Sequence, residues 1–193
     1  MKSILLLGSN RGDKLSLIEL ASEMVSDLSS GECILSSLYE SEPWGFNADE
    51  WFLNRAVRID TELKPEELLE KVLEIEKSLG RVRGEEDKTE KEKKEKESKE
   101  NENENGNGNG NGNGNGEREY SSREIDIDII FYDDLVQESE KLTLPHPRMH
   151  LRKFVLEPIA QIAPNYFHPV LGITVEQLLS TCKDDSLVIK QIP

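Results

Sequence analysis

Two periodicities alternate along the chain. Residues 2–7 end in the apolar run Ile4 to Leu7 and stop at Gly8-Ser9-Asn10, which predicts a short strand and a turn. Leu17, Ile18, Leu20, Ala21, Met24, Val25 and Leu28 then recur at three- and four-residue spacing. That spacing predicts an amphipathic helix closed by Gly31. Cys33 to Tyr39 reads as one strand, and Glu42 to Glu50 as a loop. In Phe52 to Ile59 the positions Val57 and Ile59 alternate with Arg58 and Asp60, a third strand. Pro65 suits a first helical turn, and Leu68, Leu69, Val72, Leu73, Ile75, Glu76 and Leu79 carry a second helix to Gly80.

Beyond residue 117 the alternation returns: Arg123 to Tyr132 predicts a strong strand. The order β-α-β-β-α-β defines an α+β class, the ferredoxin-like split βαβ arrangement, with an antiparallel sheet and its helices on one face. A short hairpin (Val136, Leu142 to Leu144), a helix over Phe154 to Ile162 and a last one near Val175 to Leu179 follow as C-terminal additions.

Composition changes the picture in one place. From Gly84 to Glu117 there are 34 residues with no apolar side chain, ending in six Asn-Gly repeats. With 11 acidic and 6 basic residues the stretch carries −5 and cannot bury enough apolar surface to offset the entropy of ordering. It is expected to be a disordered, low-complexity insertion in a single domain spanning 1–193. The whole chain carries 24 Lys+Arg against 39 Asp+Glu, a net −15 in 193 residues. That balance argues against a dedicated nucleic-acid or anionic-membrane binder. Cys33 and Cys182 are far apart and form no motif, which excludes a disulfide framework and suits a reducing, cytoplasmic setting. The apolar run Ile4 to Leu7 is too short for a signal-peptide core or a membrane span.

The most informative block is Arg123-Glu124-Ile125-Asp126-Ile127-Asp128-Ile129. On a strand, Ile125, Ile127 and Ile129 face one side while Asp126 and Asp128 share the other, their Cα atoms roughly 6.5 Å apart. Such a pair either solvates an outer sheet face or converges on hard cations. Mg²⁺ needs only one or two protein carboxylates when phosphate and water complete its octahedron. In Gly80-Arg81-Val82-Arg83-Gly84, basic residues in a last helical turn complement the helix dipole. Two of them beside Arg123 also suit a clamp for paired phosphate oxygens. Pro145 to Phe154 concentrates His146, Arg148, His150, Arg152 and Lys153 in an acidic protein. His146 and His150 have zinc-helix spacing, but Pro147 breaks the helix and no third ligand follows. His150 and His168 read as structural or exposed. Phe52 and Asn54 share a strand face, a floor and an edge for a flat heterocycle.

Taken in order, GSN after the first strand, Tyr39-Glu40-Ser41-Glu42-Pro43-Trp44-Gly45, Phe52-Leu53-Asn54, Glu76 through Arg83, Arg123-x-x-Asp126-Ile127-Asp128 and Pro145-His146-Pro147-Arg148-Met149 with Arg152 and Phe154 resemble the 6-hydroxymethyl-7,8-dihydropterin pyrophosphokinases of folate biosynthesis. The resemblance spans nearly all of the chain outside the insertion, and its most specific part is the Arg-x-x-Asp-Ile-Asp block. It implies ATP-dependent transfer of pyrophosphate to the pterin hydroxymethyl group with release of AMP. Asp126 and Asp128 would hold two Mg²⁺ ions. Arg81, Arg83, Arg123, His146 and Arg152 would handle phosphate, with Arg81, Arg83 and Arg123 the catalytic ones. Glu76, Ile129, Lys141 and Thr143 match ATP-side positions. Phe52 and Phe154 would stack the pterin, and Asn54 would bond its edge with backbone help from Ser41, Glu42 and Trp44.

The resemblance also implies the small-molecule partners ATP and the reduced pterin, and the chain is expected to be a monomer. No side chain stands out as a general base. Three features depart from the family pattern. The insertion falls where the family has a mobile catalytic loop; Glu119 and Ser121-Ser122 replace an often basic residue and a common Gly-Pro; and Phe52 stands where some members carry Tyr.

Overall fold

In the computed structural model, residues 1–45, 50–81 and 124–191 are described. The 84–117 stretch, Arg83 and Arg123 lie outside the described residues. Strands β1 (Lys2–Ser9), β2 (Cys33–Leu35), β3 (Tyr39–Ser41), β4 (Phe52–Asp60) and β5 (Asp126–Tyr132) alternate with helices α1 (Lys14–Ser26) and α2 (Pro65–Ser78). A two-stranded hairpin, β6 (Gln137–Glu138) and β7 (Thr143–Leu144), comes next. After it come a 3₁₀ turn (Met149–Leu151), α3 (Lys153–Ile162), α4 (Val175–Thr181) and β8 (Val188–Lys190). The main sheet runs β5-β1-β4-β3-β8, with β2 also paired to β4, and every named pairing in it is antiparallel.

Both early helices start on chemistry local to them. Asp13 caps α1 by accepting the Ser16 N–H at 3.2 Å. In α2, Pro65 occupies the first turn and Glu67 reaches back to accept the Lys64 N–H at 2.8 Å. Ile18, Ala21 and Val25 of α1 and Leu68, Val72 and Ile75 of α2 pack on Leu5, Leu7, Leu53, Val57, Ile59, Ile127 and Ile129 of the sheet. Ile4, Leu6, Ala56, Ile130 and Phe131 point the other way, and Met149, Val155, Leu156, Ile159, Val175 and Leu178 cover them. The C-terminal additions thus close the second face.

Two register shifts re-aim side chains. Leu5 pairs with Ile129 but Ile4 with Phe131, so Ile130 is an extra residue and Ile130 and Phe131 both face α3. The second shift corrects the single strand expected over Cys33 to Tyr39. Leu35 pairs with Val57 and Tyr39 with Asn54, four steps against three, and the strand divides into β2 and β3. Ser36 makes the break: its N–H donates to the Ala56 carbonyl at 2.9 Å, and its Oγ, rather than its carbonyl, accepts the Ala56 N–H at 3.0 Å. Because strand side chains alternate, one inserted residue moves Tyr39 and Ser41 to the face opposite Cys33. Strand β8 and the 3₁₀ turn were not expected from the sequence pattern.

Candidate active site

Past Leu6 the apolar layer under α3 ends and polar residues take over the same sheet face. Gly8 pairs with Asn54 on one side and with Asp126 on the other. Asn54 and Asp126 therefore flank Gly8 in one lateral row, two strand spacings or roughly 10 Å apart. A Cβ on Gly8 would come 3.2 Å from Asn54 Oδ1, so glycine keeps the floor between them open. Asp128, beside Leu6, and Phe52, two residues before Asn54, fall on this face as well. Asn54 is only 2% exposed, and its Nδ2 donates to Ser41 Oγ at 2.9 Å and to the Tyr39 carbonyl at 3.4 Å. Those bonds exist because the bulge at Ser36 turned Tyr39 and Ser41 inward.

At the acidic end, helix α2 delivers Arg81. Gly80 takes a left-handed backbone (φ 97°), and the Gly80 and Arg81 N–H groups return to the carbonyls of Lys77 (3.3 Å) and Glu76 (3.0 Å). This C-terminal cap turns the chain back, and the Arg81 guanidinium bonds both Glu76 and Asp126. Glu76, 1% exposed, also accepts the Ile127 N–H at 2.8 Å, fixing β5 between the two aspartates. Burial pulls the Arg81 guanidinium down, but the carboxylates of Asp126, Glu76 and Asp128 outweigh it and leave it raised. The side chain of Ile129 packs in the core on the opposite face, so only its backbone lies toward the site.

The third wall comes from the segment before α3. The His146 N–H donates to the Ile130 carbonyl at 2.9 Å, tying the turn to β5. Burial, with the cations Arg152 and Arg148 adding to it, lowers the His146 imidazole to about 4 although Asp126 opposes the shift. His146 Nδ1 accepts the Arg148 N–H at 3.3 Å, which leaves the proton of the neutral ring on Nε2. Arg152 is 1% exposed, and its guanidinium lies 4.7 Å from the Trp44 ring centroid and 5.8 Å from that of Phe154. Both contacts fall within cation–π range. Lys141 is exposed and Thr143 half-buried on the β6–β7 hairpin. His168 is buried edge-on against Phe131, with Nδ1 accepting the Val170 and Leu171 N–H groups, a structural histidine as expected.

Among the described residues no group of three or more His, Cys, Asp or Glu is arranged to hold a metal. The half-buried pair Asp126 and Asp128 offers hard oxygen donors from one strand face, which fits a cation that takes most of its ligands from phosphate and water. Sequence reasoning missed two contributors: Gly8, announced only by the Gly-Ser-Asn turn, and Arg148, hidden in a generally basic run.

The fold and this arrangement place the chain among α+β proteins whose sheet presents paired acids, clustered arginines and an aromatic wall on one face. A family model described as 7,8-dihydro-6-hydroxymethylpterin-pyrophosphokinase (HPPK) matches residues 4–94 and 89–164. The 2-amino-4-hydroxy-6-hydroxymethyldihydropteridine pyrophosphokinase of Methylorubrum extorquens is 36% identical over 175 residues, covering 90% of this chain and 89% of that protein. The folic acid synthesis protein FOL1 of Dictyostelium discoideum is 33% identical over 90% of this chain, which spans 21% of that longer protein. An HPPK-DHPS structure from Plasmodium falciparum superposes with a TM-score of 0.60 at 16% identity, covering 93% of this chain and 44% of that one. The chain belongs to the HPPK family.

Proposed function

We infer that this chain transfers the pyrophosphoryl group of ATP to the hydroxymethyl oxygen of 6-hydroxymethyl-7,8-dihydropterin, releasing AMP, in folate biosynthesis. The supporting observation is the lateral row Asn54–Gly8–Asp126 in a chain that matches the family over residues 4–164. One end of that row carries an amide able to read a flat heterocycle, and the other an acid able to hold a cation. Mg²⁺, read as two ions, would neutralise the triphosphate and polarise its β-phosphorus when bound at Asp126 and Asp128. Attack at that phosphorus needs in-line positioning and charge neutralisation more than a covalent intermediate.

The chain's own residues divide that work. Arg81, carried by the α2 cap, supplies a preformed guanidinium beside Asp126, and Glu76 holds it there. His146, through Nε2–H, and Arg152 face the phosphates in this reading, joined by Arg83 and Arg123. Glu76, the Ile129 backbone, Lys141 and Thr143 line the ATP side. Asn54, set by Ser41, reads the pterin edge with the backbone of Ser41, Glu42 and Trp44, while Phe52 and Phe154 stack its faces.

We also read the core as the ferredoxin-like βαββαβ arrangement, supported by the strand order β5-β1-β4-β3. The chain is read as one domain interrupted at 84–117, since the two family matches, 4–94 and 89–164, together take in the chain on both sides of that stretch. A cytoplasmic, monomeric enzyme with no nucleic-acid or membrane partner completes the reading. It draws on the net charge of −15, the two separated cysteines and the lack, among the described residues, of a helix long and apolar enough to cross a membrane.

Incubation with ATP, Mg²⁺ and the reduced pterin should yield AMP and the pterin diphosphate in equal amounts. Asp126→Asn and Asp128→Asn should each slow that release by roughly a hundredfold or more, with unfolding little changed. Phosphate release independent of pterin would point instead to a metal-dependent phosphohydrolase, and binding without turnover to a nucleotide-binding module.

A further inference from the structure

The segment from Asp184 to Gln191 lies beyond the family match, which ends at residue 164, yet it reaches both sides of the aromatic wall. At one end, Asp184 Oδ2 accepts the Lys153 N–H at 2.8 Å, while its Oδ1 accepts the Ser186 N–H at 3.0 Å. Lys153 is the first residue of α3 and sits between Arg152 and Phe154. Four residues on, β8 begins and pairs with β3 in the register Ser41↔Val188, Glu40↔Ile189 and Tyr39↔Lys190. The Glu42 N–H donates to the Leu187 carbonyl at 3.2 Å, and the Leu187 N–H donates to Glu42 Oε2 at 2.8 Å. Gln191 finishes the attachment, its N–H on the Leu38 carbonyl at 2.8 Å and its Nε2 on Glu40 Oε2 at 3.0 Å.

Asp184 thus fixes the residue between Arg152 and Phe154, and Leu187 fixes the residue two before Trp44. Arg152 closes the circuit through its 4.7 Å contact with the Trp44 ring. We propose that residues 184–191 form a brace that sets the separation between the Glu42–Trp44 loop and the Arg152–Phe154 segment. Asp184 and Leu187 are its positioning residues, and it tunes the slot for a flat, polar-edged heterocycle. The role in pterin affinity rests on the function inferred above; the mechanical coupling does not. The ATP-side residues Glu76, Arg81 and Asp126 have their own bonds elsewhere, so the brace reaches that side only through Arg152 and acts mainly on the pterin.

The test uses the full chain with Asp184→Ala, Leu187→Pro and the double variant, titrated separately with the reduced pterin and with Mg-ATP. Leu187 is exposed, so the proline removes the N–H bond without opening a core cavity. Each single variant should weaken pterin binding roughly tenfold and leave ATP binding within about twofold, consistent with losing a charge-assisted bond. A brace released at either end is already slack, so the double variant should bind no more weakly than the poorer single one. Asp184→Asn, which keeps one carbonyl acceptor, should recover most of the loss.

Wild-type pterin affinity in either single variant would overturn the proposal. So would equal losses for both ligands, or single losses that multiply in the double variant. Amide hydrogen exchange at Glu42 supplies a reading without ligand. Asp184→Ala should speed it although Asp184 makes no bond there, and unchanged exchange would refute the brace even in a chain that binds no pterin.

Discussion

On one face of the sheet, Leu5, Leu7, Val57, Ile59, Ile127 and Ile129 meet α1 and α2 in an apolar layer that runs the length of the strands. On the other, Ile4, Leu6, Ala56, Ile130 and Phe131 lie under α3 and α4, and past Leu6 the layer gives way to Asn54, Gly8 and Asp126. The same strands supply both faces, so past Leu6 each residue step along β1, and along the paired ends of β4 and β5, switches between packing and chemistry. Cohesion and reactivity are thereby assigned to alternate positions, and one can be altered without much cost to the other.

The sharpest way to break that division is to damage the apolar face and look for a change on the polar one. Leu5→Ala removes a fully buried side chain and should cost about 2–5 kcal/mol of unfolding free energy in denaturant titrations. ATP affinity measured well below the new midpoint should be unchanged; a parallel loss of binding would show that the two faces are not separable.

A smaller effect probes the polar face for its own contribution to stability. Burial and the Arg152 and Arg148 cations hold folded His146 at about 4, below its ordinary value of 6.5. Between those values only the unfolded chain takes up the proton, so this contribution is complete above about pH 6.5 and is lost as pH falls toward 4. Wild-type stability should drop by up to about 2–3 kcal/mol across that window, and His146→Asn should flatten the profile. An identical profile in the variant would remove His146 from the account.

The smallest expected effect concerns the α2 cap. Gly80→Ala places a side chain at φ 97° and against Glu124 Oε2, and should cost about 1 kcal/mol. Turnover should fall more than stability does, because Arg81 is displaced from Asp126. Equal activity in this variant would mean that the cap does not set the position of the arginine.

Much of the architecture was legible because its signals repeat. Alternation in β5 placed Asp126 and Asp128 opposite the isoleucines, and Pro65 and Gly80 marked the two ends of α2. What could not be read depends on single events. The extra residue at Ser36 exchanges the faces of everything after it, and a hydroxyl standing in for a carbonyl leaves no trace in hydrophobic period. Strand β8 is three residues long and mostly exposed, too short for alternation to register. The Glu76–Arg81–Asp126 contact joins residues 45 apart, and His146, Arg148 and Arg152 converge only once β5 fixes their turn. Those meetings are tertiary, and spacing along a chain does not encode them.

Arg81 and Asp126 also stand at the two roots of the long excursion between helix α2 and strand β5, and they are bonded to each other. With its roots tied inside the fold, that excursion can lengthen cheaply: each doubling costs only about 0.6 kcal/mol of closure entropy. Further repeats could therefore be accommodated between those roots at little thermodynamic cost, because the clasp at their base already holds the two ends together.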